Sequence, residues 1–311
     1  GQLTVIGGAR VSKVNVDEEN AGKVTSLEYN TREGGTQTLD GLDGCVLALG
    51  NKGMDAVINN SPQVSKRSPE LCRAASLKGI DCIAVRLWLD KPIKCDTPAN
   101  VFSRFEELRG AGGTFFMLDQ LQGEHGYGGT KEDEQALWGG EGEEIHGSVV
   151  ACDFYNAGAL LGLSDEDLVS TLLGEGGEGL LGKAVPAFKG AKVLDSYVLR
   201  CPSAVSWFSP GSYASRPPLV VPHFSGTLVC AGDWVRMGKK ETKAKGLCQE
   251  RAFICGLEAG NALLATFSQS DKAHSVIEIR DDELQVKLGR RVNGIVQGLL
   301  KPLGLDSFWV R

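Results

Sequence analysis

Ala231, Gly232 and Asp233 stand directly after the apolar run Leu228-Val229-Cys230. A carboxylate on a tight glycine turn at the end of a buried strand can accept a hydrogen bond from a sugar-like hydroxyl. A basic loop follows, and then a helix begins near Leu247, Cys248, Gln249 and Ala252. The first amides of a helix have no partner within it and favour an electron-rich oxygen. Gly256, Ala259, Gly260 and Ala262 follow, small enough to let the helix lie close to a neighbouring backbone. The order strand, turn, helix lets the turn carboxylate and the helix start meet one ligand. Units of this kind also serve α/β proteins as plain scaffolding, so the short motif alone leaves both readings open.

Other chemistries find less support in the residues. The chain has no G-x-S-x-G and no motif around which a catalytic triad would form. His125, His146, His223 and His274 are scattered, and no metal site is expected from them. The nine cysteines include no C-x-x-C pair, which argues against a disulfide framework or a structural zinc and for a reduced compartment, plastid or cytoplasm. A net charge of −6 gives no basic footprint for nucleic acid. No apolar run reaches the roughly 20 residues that a membrane-spanning helix needs. The 41 glycines in 311 residues are roughly twice the usual share of about 7 %. Many lie between Gly110 and Gly182 and predict a loop-rich middle.

Several elements must hold the turn and the helix in place. Val11, Val14 and Val16 alternate, Val24, Leu27 and Tyr29 follow, and Cys45 to Leu49 runs apolar. Period-two patterning before a continuous apolar run predicts a small antiparallel meander leading into a buried parallel strand. Ser68-Pro69 caps a helix running to Lys78, and Ser164 caps another to Leu173. Strands are expected over 80–89, 113–120, 147–154 and 192–200. With no regular βαβ beat, these predict a mixed sheet with helices on one face. Residues 121–146, rich in Gly and Glu, read as a surface loop or a partner contact.

The segment from Ala231 to Ala262 resembles the C-terminal flavin-binding segment of the FAD-dependent amine oxidase and carotenoid (phytoene) desaturase superfamily. Ala231, Gly232 and Asp233 match its turn, and Glu250, Ala252, Cys255 and Gly256 match its helix. Arg251 stands where many members have Gly, and Cys255 where many have Ser or Thr. The first departure is harmless if Arg251 points outward, and the second is nearly isosteric. The resemblance implies an α/β fold of mixed α+β character: the C-terminal part of a Rossmann-like FAD-binding domain with an inserted mixed-sheet substrate domain. Residues 1–62 would supply an FAD-binding piece, 63–218 the substrate-type domain with its loop 121–146, 219–266 the second FAD-binding piece, and 267–311 a tail.

By the same resemblance, Gly232 and Asp233 lie against the ribityl-pyrophosphate of FAD. Leu247, Cys248, Gln249 and Ala252 meet the pyrimidine edge of the flavin. Val11 would touch the adenine through backbone groups, although as a residue it reads first as an ordinary core valine. Arg200, Ala204, Val205 and Trp207 match a stretch at the junction of the substrate and flavin regions. Trp88, Trp207 and Trp234 are candidates to wall an apolar cavity, with packed interface positions as the alternative. The implied activity is hydride transfer from an apolar, polyene-like substrate or an amine to the flavin. The cofactor does the chemistry there, so no protein nucleophile is expected.

A dinucleotide cradle of the form G-x-G-x-x-G between a strand and a helix is absent from these residues. Gly7-Gly8 precedes a strand, and the patches at 110–113 and 126–129 lack that context. We expect the family's N-terminal half to be missing from this chain, which alone should not hold FAD tightly. Two other readings stay open. One is a non-catalytic relative, acting as an interaction or structural subunit of a larger assembly such as one at a plastid membrane. The other is a flavin-free nicotinamide reductase, which would leave the helix-start motif unexplained. In the tail, Leu284, Leu288, Val292 and Ile295 recur at helical spacing, and Phe308-Trp309-Val310 is apolar. Docking on the core is the default for such a helix, with a partner or membrane surface as the alternative.

Overall fold

The computed structural model describes residues 3–102, 105–123, 129–140, 142, 144–238, 248–277 and 282–304. The fold is mixed α/β. Strands β1 (Arg10–Asp17), β2 (Lys23–Asn30) and β3 (Thr36–Asp40) form an antiparallel meander. Strand β4 (Cys45–Leu47) follows, then helices α1 (Asn51–Asn59), α2 (Pro62–Arg67) and α3 (Pro69–Ala75). Ser68 caps α3 by accepting from the Leu71 N–H at 3.2 Å, but the helix stops short of Lys78.

The central elements are β5 (Gly79–Leu89), β6 (Ala99–Phe102), β7 (Gly112–Met117), α4 (Leu118–Gln122), α5 (Lys131–Ala136), β8 (Val149–Tyr155), α6 (Asp165–Leu172), α7 (Leu180–Ala184) and β9 (Val193–Ser206). Two short helices therefore lie where the sequence suggests strand and loop. Helix α4 takes over the end of the run 113–120. Helix α5 forms within 121–146 because Thr130 and Asp133 make a reciprocal capping box. The five strands pair in the order β6-β7-β8-β5-β9, and every ladder is antiparallel, so the expected mixed sheet is corrected to an antiparallel one. The helical connection from β8 through α6 and α7 to β9 does join two parallel strands, but it passes over β5, which lies between them, so no two neighbours are parallel.

One face of this sheet is packed. Ile83, Val85, Leu87 and Leu89 alternate along β5 and join Phe115, Cys152 and Phe154 against Leu168, Leu172, Leu180 and Phe188. Gly113 is needed here, because a Cβ would stand 2.7 Å from the Phe154 ring. Arg200 ties β9 to α6 through Asp165 Oδ1 (2.5 Å) and Leu163 O (2.6 Å). Its place at the junction thus has a structural use.

Strand β10 (Leu228–Cys230), all buried, pairs parallel with β4, in agreement with the apolar runs on both. Helix α8 (Gln249–Thr266) then returns against them, and α9 (Leu284–Leu300) closes the described chain. A second core joins Val14, Val16 and Val24 of the meander to Met54, Ile58, Leu71, Cys230, Trp234 and Cys255. Two hydroxyls pin the meander to this core. Ser61 Oγ accepts from Val14 N–H (2.9 Å), and Thr227 Oγ1 accepts from Val24 N–H (3.0 Å). Helix α9 has no buried residue, so the expectation that it docks on the core is corrected. Residues 308–310 lie outside the described residues.

Candidate functional site

Parallel pairing of β10 with β4 delivers the chain to the Gly232-Asp233 turn. The Ala231 N–H continues the ladder to Leu47 O at 3.1 Å. Gly232 then takes φ +136°, a conformation that side chains rarely adopt, and a Cβ there would press Trp234 Cδ1 at 3.3 Å. The turn closes with Val235 N–H donating to Gly232 O at 3.3 Å. The Trp234 indole donates to Leu49 O at 2.9 Å and is 2 % exposed. Trp234 is therefore a core residue and not a cavity wall.

Arg251 was the residue whose role the sequence concealed. It does not point outward; it is 2 % exposed, and its guanidinium donates to two turn carbonyls. Nε donates to Asp233 O, and Nη2 donates to Val235 O at 2.8 Å. A buried guanidinium is stable only when its donors are matched, and the turn carbonyls supply that match. An arginine side chain is most often at the surface, so its type alone does not announce this clamp. The signal available was its position at the helix start beside a buried turn.

The Asp233 carboxyl is half-buried. Burial pushes its pKa above the usual carboxylate value, while the nearby Arg251 and Arg216 guanidinium groups pull the other way. Arg216 itself stacks on Phe208, 3.8 Å from the ring centre. A carboxyl partly shielded from water, whose charge Arg251 and Arg216 favour, is suited to accepting hydroxyl hydrogen bonds.

Helix α8 begins with Cys248 as its cap, Sγ accepting from Arg251 N–H at 3.4 Å. The Ala252 N–H donates to Cys248 O at 3.2 Å, so this amide is already engaged within the helix. Gln249, the first helical residue, and Glu250 have exposed side chains at this end. Their amides make no hydrogen bond among the described residues. Leu247 lies outside the described residues. Cys255 is fully buried and packs α8 on β10, its Sγ 4.0 Å from Cys230 O. The close approach comes from Ala259 against Val229 and Ala231. Gly256 and Gly260 face open space, contrary to the expectation that they seat the helix on a neighbour.

Val11 lies on β1 opposite Tyr29 and packs, half-buried, at the edge of the core that holds Trp234. Ser206 Oγ donates to Asn51 Oδ1 at 2.7 Å, which joins the end of β9 to the start of α1, just after Leu49. The near end of the five-stranded sheet therefore adjoins the turn. From there its unpacked face carries Cys82, Ala84, Arg86 and Trp88 on β5, Ala151, Asp153 and Tyr155 on β8, and Tyr197 and Leu199 on β9. Tyr155, Tyr197 and Leu199 are 45–60 % exposed. At the far end a cleft of about 650 Å³ is lined by Arg86, Trp88, Trp138, His146 and Asp195. The Trp88 indole donates to Leu137 O at 2.7 Å, and Trp138 meets the His146 ring edge-on at 5.5 Å. Trp207, 54 % exposed, sits at the opposite, near end, its N–H donating to Lys78 O.

The described residues match what FAD would need in part. The Asp233 carboxyl can accept from a ligand hydroxyl, and the amides of Gln249 and Glu250, which make no hydrogen bond among the described residues, can donate to an electron-rich oxygen. A glycine-rich strand-to-helix turn for the diphosphate is not among the described residues.

No protein-family model matches the chain, and no curated protein matches it. Among solved structures, it is similar to a protein from Exiguobacterium sp. 255-15 assigned as a protoporphyrinogen oxidase, with TM-score 0.45 and 13 % identity over 85 % of this chain and 47 % of that one. It is similar to an oxidoreductase from Methanosarcina mazei, with TM-score 0.45 and 16 % identity over 85 % and 49 %. The myxobacterial chondrochloren halogenase, a variant of the FAD-dependent halogenases, gives TM-score 0.33 and 10 % identity over 95 % and 53 %. The chain spans about half the length of these structures.

Proposed function

We propose that this chain is the substrate-side and flavin-side portion of an FAD-dependent oxidoreductase of the amine oxidase and carotenoid desaturase type. The observation that carries this reading is the β10 turn, where the half-buried Asp233 follows Gly232 and its main-chain carbonyl is held by Arg251 of the first turn of α8. The bound flavin would accept a hydride from the substrate, and the protein's share is to bind, orient and exclude water. Asp233 would accept from ribityl hydroxyls, and the amides of Gln249 and Glu250 would serve the pyrimidine edge. Arg251 acts on the turn and not on the substrate, because its donors already hold the turn carbonyls.

The unpacked sheet face supports an extended apolar substrate over a small amine. From Ile80 to Trp88 the strip runs about 26 Å away from the turn. It offers Tyr155, Tyr197, Leu199 and Trp88 along that length, with the Arg86 and Asp153 charges set among them. The cleft at Trp88 and Trp138 would receive the far end of such a molecule.

A second reading is favoured by the Arg251 clamp itself. It holds the turn in shape without a ligand, as a non-catalytic interaction subunit would need. The purified protein separates the two. Its absorbance spectrum, with the released cofactor identified by mass, should show flavin, and Asp233→Ala should lower the bound fraction with little change in thermal midpoint. A colourless protein that takes up no added FAD would support the subunit reading instead.

A further inference from the structure

Cys82 of β5 and Cys201 of β9 stand directly opposite each other in the antiparallel ladder. Both are free thiols, and both are only partly buried. Directly paired residues of such a ladder send their side chains to the same face of the sheet, here the less packed one. Their Cα atoms are about 4.5 or 5.5 Å apart, and either spacing falls within the roughly 4.4–6.8 Å that a disulfide spans. Their Cβ atoms, about 4.5–5.5 Å apart, need to close by up to about 1 Å.

The ladder beside the pair can give that distance. Between Ile80 and Cys82 a single residue, Asp81, faces three, Pro202, Ser203 and Ala204. Ser203 takes φ +55°, and its N–H donates to Asp81 Oδ1 at 2.8 Å. A bulge of this kind leaves the strand bent and locally unpaired, so a small shift breaks no regular ladder. The Cys82 thiol is pushed up by burial first, then by the sulfur of Cys201 and the carboxylates of Asp81 and Asp153. The second cause reflects how near the two sulfurs lie. Together these causes make the thiolate scarce, so its exchange reactions are slow.

Other thiols lack this combination. Cys230 has Cys45 and Cys255 near it, but all three are buried. A metal is not the better ligand for the pair, because no group of three or more His, Cys, Asp or Glu side chains among the described residues is placed to hold one.

We propose that Cys82 and Cys201 form a reversible dithiol–disulfide pair, which staples β5 to β9 when the protein meets a low-molecular-weight disulfide. The thiolate of one cysteine attacks the small disulfide, forming a mixed disulfide and releasing one small thiol. The other thiolate then attacks the protein sulfur of the mixed disulfide and releases the second small thiol. The two cysteines lose two electrons and two protons, and the small disulfide is reduced to two thiols. The new bond closes a loop of roughly 120 residues, from β5 through the central sheet to β9. In a reduced compartment the pair rests as two thiols, and a link made there is regulatory and not a fixed part of the fold. This inference does not depend on the flavin reading, since it rests on separate residues.

The test incubates the intact protein with oxidised glutathione for hours, blocks the remaining thiols and maps tryptic peptides without reduction. The expected product is the peptide Gly79–Arg86 joined to the peptide that begins at Cys201, separated again by dithiothreitol. The linked protein should melt about 5 °C or more above the reduced protein. In Cys82→Ala, and separately in Cys201→Ala, the linked peptide and the rise should both vanish. The melting temperature of each variant under reducing conditions is the folding control. Exposed Cys72 reports that the oxidant has acted. Glutathione on Cys72 with no linked peptide overturns the proposal. So does a link that forms only after unfolding, or a linked protein that melts no higher than the reduced one.

Discussion

Around Gly232 and Asp233 the main chain is fixed by bonds from all sides. Leu47, Leu49 and Arg251 all bond to the turn or to the residues beside it. On the less packed face of the five-stranded sheet the backbone is equally regular, but among the described residues the side chains meet an opposing segment only at the far end, where Leu137 and Trp138 stand beside Trp88. The first region is built to hold a few polar atoms at set positions. The second is built to offer area. A ligand that needs both would be recognised by direction at one end and by its length along the rest. The contrast also separates two kinds of sensitivity. Changes near the turn should act through buried polar atoms, and changes on the sheet should depend on which face they touch.

The largest effect should come from comparing adjacent residues on the two sheet faces. Phe115 is 1 % exposed within the core, whereas Phe116 points to the unpacked side. Phe115→Ala should lower stability by about 3–5 kcal/mol in urea unfolding. Phe116→Ala should lower it by about 1 kcal/mol or less. Equal losses would mean that the second face is covered after all.

Next comes the turn. Arg251→Met keeps most of the side-chain volume but strands two carbonyls, and about 3 kcal/mol should be lost. If the thermal midpoint does not move, the clamp has no role in holding the turn.

A third, smaller effect distinguishes the faces by titration. Burial raises the Asp153 pKa above 3.8, with Arg86 opposing it. A carboxyl whose pKa is higher folded than unfolded contributes stability that is fully present below 3.8 and is lost as pH rises through the folded value. Asp153→Asn has no such loss, so its stability relative to the wild type should rise between acid and neutral pH. Arg86→Gln should move the Asp153 carboxyl upward in an NMR titration. A downward movement would contradict the assigned causes.

The smallest perturbation is thiol labelling under native conditions. Burial pushes Cys45 up to about 11 and drives Cys152 and Cys230 higher still. Cys72 is exposed. Mass spectrometry should find Cys72 modified first and the three buried thiols untouched until the protein unfolds. Early labelling of Cys230 would show that the β10 site opens in the native state.

These regions also differ in what their residues announce. The strand, turn and helix around Asp233 are contiguous, so the order of apolar run, glycine and small-residue helix is legible directly. The parallel pairing of Cys45–Leu47 with Leu228–Cys230 is legible because both runs are apolar throughout. The antiparallel order of the central sheet is not, since β5 pairs with β9 across more than a hundred intervening residues. No local pattern encodes such a partner. Arg251 shows the same limit at a single residue. Its burial depends on carbonyls made available by a turn, and a one-dimensional reading counts only the charge. The α9 stripe is legible as periodicity, but that no residue of the helix is buried among the described residues is a tertiary fact.

Hydrogen–deuterium exchange of the protein with and without added FAD tests the central claim most directly. The account predicts slowed exchange at Gly232 and Asp233 and at the amides of Gln249 and Glu250, with the β6 edge unchanged. Uniform exchange across those residues in the presence of FAD, or slowing confined to other parts of the chain, would contradict it.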